Sequence, residues 1–237
     1  MRRVIVVATL LTLWAPAAHA QYGINLSWDD CGLAGTTLKT FSCDTNTGAQ
    51  VLVGSFRPPF TLPAVTGMDA LIDIQTPTYS VPSWWYLEPT GCRGASPGLV
   101  AVDVNSAGTP SCPNLWGGAA SGGTSFHVFS YFARLDVLAS LPETIPVYSG
   151  TEYEVFRVMI SNQRTTDCTG CLNAACLWLE QIYMVRDVPG LYGLSTPLDH
   201  EFVYWQVDQG APDPRGRCPG AVPTRATTWG AIKSMYR

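Results

Sequence analysis

A repeated alternation of side chains is the feature that most constrains this chain. Within residues 152–160, Phe156, Val158 and Ile160 recur at every second position, which is the period of a β-strand and not of a helix. Such runs are rich in β-branched and aromatic residues, as strands are. Six further runs predict strands at residues 51–56, 70–74, 99–104, 125–132, 177–185 and 202–207.

Turn-forming residues separate these runs, and no strongly helical segment lies between them. This order favours antiparallel sheets packed as a β-sandwich or jelly roll, an all-β fold. A single short helix is predicted at the end of the chain, where Trp229, Ile232 and Tyr236 follow a helical spacing. A final strand is the competing interpretation of that segment, because Gly230 disfavours a helix.

Residues 1–20 have the pattern of a signal peptide. Arg2 and Arg3 precede an apolar run over residues 4–14, and Ala18-His19-Ala20 fits the small-residue cleavage rule. Residues 21–237 are then expected to form one domain. No later stretch is apolar over the roughly 20 residues that a membrane helix needs, so we expect a secreted protein, extracellular or periplasmic, without a membrane span.

Composition narrows the classes of partner. Hydrophobic residues make up 46% of the chain and charged residues 14%, which predicts a packed interior and not a disordered chain. Acidic residues number 18 against 14 basic ones, so nucleic acid is not expected as a partner. The glycine-rich loop predicted over residues 117–123 lacks the Lys-Ser/Thr ending of a phosphate-binding loop, and no cofactor is predicted.

Eight cysteines in an exported chain predict four disulfides. Proximity along the chain favours Cys31 with Cys43 and Cys92 with Cys112. The remaining four would pair among themselves, with Cys218 joining a late loop to the others. These four are Cys168, Cys171, Cys176 and Cys218.

The spacing of Cys168 and Cys171, followed by Cys176, also fits a redox pair or part of a zinc site. Structural disulfides are favoured, because the pair lies in a polar turn region and because exported thiols are usually oxidised. No metal site is therefore predicted there. A weaker resemblance to a shortened calcium loop involves Asp44 and Asn46, which we interpret first as an Asx-rich turn because the downstream glutamate of a full loop is absent.

Catalytic motifs are weak. Residues 94–98 match the G-x-S-x-G pattern of a hydrolase, but Pro97 has no N–H for an oxyanion hole. His127 shares a predicted strand face with aromatic residues, and His200 stands in an Asp-His-Glu cluster before a strand. A carboxylate pair could serve a glycosidase, and the candidates by residue type are Glu88, Glu152, Glu154 and Glu201.

Aromatic residues provide the most suggestive feature. Trp84-Trp85-Tyr86 stands near Glu88, and Trp116 begins the predicted glycine-rich loop. Adjacent residues of a strand point to opposite faces, so one of the two tryptophans is expected to be exposed. An exposed indole can stack on a sugar ring, although filling the core is the alternative use of such residues.

Three functions follow as hypotheses. The first is a noncatalytic exported binding or surface-associated protein that grips a polysaccharide or another envelope component through Trp84, Trp85, Tyr86 and Trp116. The second is a secreted glycan hydrolase with Glu88 as one of two carboxylates. The third is a structural subunit of an extracellular assembly, for which exposed strand edges would be useful. Sequence leaves the oligomeric state open.

Overall fold

The computed structural model describes residues 22–77, 80–88, 90–94, 100–187 and 190–206. Nearly all regular structure there is β-strand, so the all-β prediction is confirmed. The only helices in these residues are single 3-10 turns at Gly32–Ala34, Ser83–Trp85 and Thr165–Asp167. The strands, in chain order, are β1 (Gly23–Trp28), β2 (Leu38–Lys39), β3 (Ala49–Arg57), β4 (Leu62–Gln75), β5 (Val100–Asp103), β6 (Ser121–Val128), β7 (Phe132–Val147), β8 (Tyr153–Ser161), β9 (Ala175–Arg186), β10 (Leu191–Leu194) and β11 (Phe202–Trp205).

These strands form two sheets, consistent with a β-sandwich. The small sheet has the order β1-β3-β8-β5, and all its neighbours are antiparallel. The large sheet has the order β2-β11-β9-β4-β7-β6, with β10 added on β9. Among the described strands, only the two-residue β2 pairs in parallel, with β11. Antiparallel sheets of this kind bury one face and leave the other available.

The core lies between alternating residues of both sheets. In the small sheet, Phe156, Val158 and Ile160 are buried, and in the large sheet Ala70 and Ile72 are fully buried. Their neighbours along the strand point the other way, as the strand period requires. The alternation that predicts the strands therefore also predicts which residues fill the core.

A bulge in the small sheet makes room for a large ring. The register between β3 and β8 shifts after Gly54, and a Cβ built at Gly54 would overlap the Phe156 ring. Phe156 is completely buried. Gly54 is needed here because the ring occupies the space that any side chain at that position would fill.

The structure corrects two predicted elements. The run predicted as one strand over residues 125–132 is a hairpin, because β6 ends at Val128 and β7 begins at Phe132. The loop predicted over residues 117–123 is partly strand, since β6 begins at Ser121. Glycine commonly forms loops, but within β6 two glycines, Gly122 and Gly123, lie in a strand.

Sequence reasoning missed β7, the longest strand among the described residues. It contains Pro142 and Pro146, which argue against a central strand. Both prolines fall where pairing with β4 is irregular, beyond the regular pairs that end at Ser140. Pro142 precedes the isolated pair at Ile145, and Pro146 lies between the isolated pairs at Ile145 and Val147. The regular half of β7, residues 132–140, is free of proline.

Several predictions lie outside the described residues. These are the signal peptide over residues 1–20, the serine of the G-x-S-x-G pattern at Ser96, and the C-terminal helix with Trp229, Ile232 and Tyr236. The single domain over residues 21–237 remains a prediction. Among the residues that the structure describes, no helix has the length and apolar character needed to cross a membrane.

The predicted disulfide pairing is wrong. Cys31 bonds to Cys112, Cys43 to Cys171, and Cys92 to Cys168. Sequence proximity failed because each bond joins segments that the sheets bring together from 76 to 128 residues apart. Cys168 and Cys171 therefore bond outside their own cluster. Cys176 is also disulfide-bonded, and Cys218 lies outside the described residues.

Candidate binding face

The predicted aromatic platform is not exposed. Trp84 and Trp85 are completely buried, and Trp116 is 3% exposed. The two adjacent tryptophans lie in the 3-10 turn Ser83–Trp85, so the strand rule that placed one of them outside does not apply. Trp116 donates its indole N–H to the carbonyl of Val155 at 2.7 Å.

These tryptophans pack in the hydrophobic core. Trp84 packs on Trp85 and on Trp205, with ring centres 4.7 and 4.5 Å apart. Tyr86 is half-buried and packs against the same cluster. The prediction of an exposed indole at this place is therefore wrong, and the alternative of core packing holds for all three tryptophans.

The four candidate glutamates have structural contacts of their own. Glu88 accepts the backbone N–H of Val128 at 3.2 Å. Glu154 is completely buried and accepts a hydrogen bond from Arg157 at 2.9 Å. Glu152 accepts Ser55 at 2.6 Å and Asn25 at 2.8 Å. Burial raises the pKa of Glu201.

Asn25 holds another predicted cluster together. Its side-chain oxygen accepts the backbone N–H of Asp199 at 2.9 Å and of His200 at 3.2 Å. Burial lowers the pKa of His200 against the opposing charges of Asp199 and Glu152. Asn25 is completely buried, so its side chain is held inside the fold by these contacts.

The weak calcium candidates are turn residues. Asp44 accepts the hydroxyl of Ser42 at 2.6 Å, and this bond is the main cause that lowers the pKa of Asp44. Asn46 bonds the hydroxyl and the backbone N–H of Thr166 at 2.8 and 2.9 Å. Asp44 thus fastens its own loop, whereas Asn46 joins that loop to Thr166, 120 residues away, and does not form the predicted local turn contact.

A different surface carries a groove, carboxylates and exposed aromatic rings. It is the side of the large sheet that faces away from the core. We call it the outer face. It follows alternate residues of β7, and the rise of a strand makes it about 27 Å long over this stretch. These residues are Phe132, Arg134, Asp136, Leu138 and Ser140.

One end of the outer face is a groove of about 610 Å³. Its apolar lining includes Leu138, Val185 and Leu191, and Tyr183 adds an aromatic ring. Gly123 also lines it, and a Cβ built there would meet nothing within 4 Å. Gly123 therefore keeps this end of the groove open.

Two carboxylates lie diagonally across neighbouring strands, one of them at this groove. Asp69 of β4 pairs with Leu138, and Asp136 of β7 pairs with Leu71, so the two acids are diagonal neighbours on one face. Asp69 lines the groove directly. Burial, and then the negative charge of Asp136, raise the pKa of Asp69.

Each of these acids has an oxygen without a donor. Asp69 Oδ1 and Asp136 Oδ1 are buried, and neither accepts a hydrogen bond among the described residues. The other oxygen of Asp136 accepts Ser125 at 2.9 Å and lies 3.8 Å from His127 Nε2. Ser125 donates to the aspartate itself, so this trio lacks the serine–histidine–aspartate order of a nucleophilic triad.

Beyond the acids, an ion-paired row crosses the outer face. Arg134 holds Asp73 through two bonds of 2.7 and 3.1 Å and also contacts Glu180. The bond to Asp73 is the main cause that raises the pKa of Arg134. Because Asp73 is only 1% exposed, the guanidinium neutralises a buried charge and holds the face in shape.

The far end of the outer face carries exposed aromatic rings. At the tip of the β6–β7 hairpin, Phe129 stacks on Phe132 with ring centres 4.5 Å apart and planes within 14°. Phe129 is 46% exposed and Tyr131 53% exposed. The exposed aromatics expected from the sequence thus exist, but on a different segment from the predicted tryptophans.

A sequence signal for this face exists. Asp69 and Asp73 stand four residues apart in an otherwise apolar strand, and Arg134 and Asp136 stand two apart in another. Both spacings place the charged pair on one strand face. Charged residues separated by two or four positions within apolar strands indicate that one face of the sheet is polar while the opposite face is buried.

Comparison with known proteins adds little about function. No protein-family model matches the chain, and no curated protein is detectably similar in sequence. Among solved structures, a cohesin module from a Clostridium perfringens ATCC13124 family 33 glycoside hydrolase covers 78% of this chain and 93% of its own length. The identity is 9% and the TM-score 0.37. At that level no property of the cohesin module transfers to this chain.

Proposed function

We propose that this protein is an exported binding module whose outer face binds an extended, hydroxyl-rich ligand such as a polysaccharide. Three disulfides support the exported location. One observation carries the proposal: among the described residues, Asp69 Oδ1 at the groove and Asp136 Oδ1 on the neighbouring strand are buried acceptors without donors. Sugar hydroxyls supply such donors.

The rest of the outer face suits the same ligand. The apolar walls and the Tyr183 ring match the C–H faces of a pyranose, and a few acceptors fix its hydroxyls. At the far end, the Phe129 and Phe132 rings offer a second stacking surface. The spacing of the two ends favours a chain of several sugar units over a single one.

The test uses purified protein and a panel of soluble and insoluble polysaccharides. Depletion from solution and the fluorescence change on ligand addition measure binding. Asp69→Asn should weaken binding by about tenfold, the usual cost of one charge-assisted hydrogen bond. Gly123→Leu should abolish it, because the new side chain enters the groove without an internal clash.

Asp44→Asn is the matched control, since it makes the same chemical change at an exposed turn outside the groove. Its binding should equal that of the unmodified protein. Binding that survives both groove variants, or absence of binding across the whole panel, would refute the proposal.

A second function, glycan hydrolysis, is favoured by one observation. Asp69, with a raised pKa beside Asp136, has the arrangement of a general acid beside a carboxylate base. This pair, and not Glu88, is the carboxylate pair that we propose for such a reaction. Release of reducing ends in the same tubes, lost in Asp136→Asn, would establish hydrolysis in place of binding alone.

A further inference from the structure

The outer strand of the large sheet has one unpaired edge. Among the described residues, β6 pairs only with β7. Gly122 and Thr124 are exposed, and Phe126 is half-buried. An edge of this kind presents backbone N–H and C=O groups that can pair with another strand.

The hairpin shows which residues present those groups. Phe129 donates its N–H to the carbonyl of Phe132 at 2.8 Å, so these two residues form a hydrogen-bonded pair. Bonded and non-bonded pairs alternate along an antiparallel ladder. The odd-numbered residues of β6 are therefore bonded to β7, and the backbone groups of Gly122, Thr124 and Phe126 point away from it.

Both ends of this edge are already closed by side chains. The Asn105 amide accepts the N–H of Ala120 at 3.0 Å and donates to its carbonyl at 2.5 Å, as a neighbouring strand would. Glu88 accepts the N–H of Val128 at 3.2 Å. Between them, no hydrogen bond within the described chain uses the outward groups of Gly122, Thr124 or Phe126.

This edge lacks the usual protection. Residues 121–128 contain no proline and no Lys, Arg, Asp or Glu, and their pairing with β7 has no bulge, although these are the devices that keep edges apart. Other edges are guarded. The free side of β1 bonds the backbone of residues 196–200, and β5 is only four residues long.

We propose that two copies of this chain pair through β6, antiparallel and about a two-fold axis at Thr124. The open positions are self-complementary in this register: Gly122 opposes Phe126, Thr124 opposes Thr124, and Phe126 opposes Gly122. The closed positions Ala120 and Val128 oppose each other, so the new ladder ends where the backbone is already bonded. About six backbone hydrogen bonds form.

The side chains permit this register. The two Thr124 side chains form a β-branched cross-strand pair, which stabilises sheets. Opposite Phe126 stands Gly122, which adds no side chain beside the ring. His127 opposes Ser121, so no two like charges meet. The same two-fold relation is the commonest symmetry of protein dimers.

The first measurement is sedimentation of the full protein over a wide concentration range, reaching millimolar. We expect a reversible monomer–dimer equilibrium. Thr124→Lys should raise the dimer Kd by at least about tenfold, because two like charges then stand directly opposite. Thr124→Val keeps a β-branched residue and should dimerise like the unmodified protein. Circular dichroism verifies that both variants are folded.

Amide hydrogen exchange identifies the surface. In the monomer, the N–H groups of Gly122, Thr124 and Phe126 should exchange fast, while those of Gly123 and Ser125 are already protected by β7. Dimerisation should slow hydrogen exchange at Gly122, Thr124 and Phe126 and leave exchange at Gly123 and Ser125 unchanged. A protein that stays monomeric at every concentration, or a dimer that forms while these three amides still exchange fast, would overturn the proposal, as would equal dimerisation of Thr124→Lys.

Discussion

The guanidinium of Arg93 lies 3.9 Å from the centre of the Trp84 ring, and both side chains are completely buried. Its nitrogens donate to the backbone carbonyls of Trp84 and Gln163, each at 3.3 Å, and to that of Ser161. Burial lowers the pKa of Arg93 to about 10, so it is still charged at neutral pH. A buried cation thus closes one end of the aromatic core.

Arg93→Ala should lower the free energy of unfolding by about 3 kcal/mol, because it removes the ring contact and the donors to three backbone carbonyls, of which that of Trp84 is buried. Urea denaturation measures the change. Arg164→Ala alters a partly exposed arginine paired with Asp167, and it should cost less than about 1 kcal/mol. Equal losses in the two variants would contradict the role of Arg93.

Asp69→Asn should stabilise the protein at neutral pH while weakening ligand binding. The pKa of Asp69 is raised above its ordinary value of 3.8, so the folded state holds the proton more readily than the unfolded state. Stability is therefore lost as the pH rises from the unfolded pKa through the higher folded pKa. Asparagine does not ionise, so the Asp69→Asn variant does not lose this stability. Denaturation at pH 7 and at pH 3 measures both limits, and the advantage of the variant should vanish at the lower pH.

His200→Gln should flatten the dependence of stability on pH below about 6.5. The pKa of His200 is lowered by burial, so its contribution to stability is complete above the unfolded value and is lost as the pH falls through the folded value. Thermal midpoints between pH 5 and pH 8 measure the slope. His127→Gln, at an exposed histidine, is the control; an unchanged slope in His200→Gln would contradict the prediction.

Peptide mapping without reduction should find Cys31 linked to Cys112, Cys43 to Cys171, and Cys92 to Cys168. Peptides linking Cys31 to Cys43 would contradict the fold. Replacing Cys31 and Cys112 by serine should lower the free energy of unfolding by about 4 kcal/mol, since that bond closes a loop of 81 residues. Thermal unfolding of the double variant, beside the unmodified protein, measures this loss.

Much of the fold could be predicted because strand alternation is a local property. The runs at residues 51–56, 70–74 and 177–185 lie within β3, β4 and β9. Partners distant in sequence could not be predicted in the same way. Cys31 and Cys112 meet because two loops pack over Val53 of the small sheet, and no spacing along the chain encodes that.

The candidate site was missed for a related reason. Trp84 and Trp85 drew attention by their size, but a 3-10 turn places both in the core. Asp69 and Asp136 form a pair only when β4 and β7 are aligned, and β7 was not recognised. Residue type suggested a binding surface, while strand pairing decided which residues compose it.

The loops closed by the three described disulfides overlap along the chain. The Cys31–Cys112 loop overlaps the Cys43–Cys171 loop, and Cys92–Cys168 lies within the second loop and overlaps the first. Cleavage of any one peptide bond between residues 31 and 171 therefore leaves the two fragments covalently joined. Such a chain can be nicked by a protease at an exposed loop and still remain one molecule, with its sheets held in place until a reductant reaches the sulfurs.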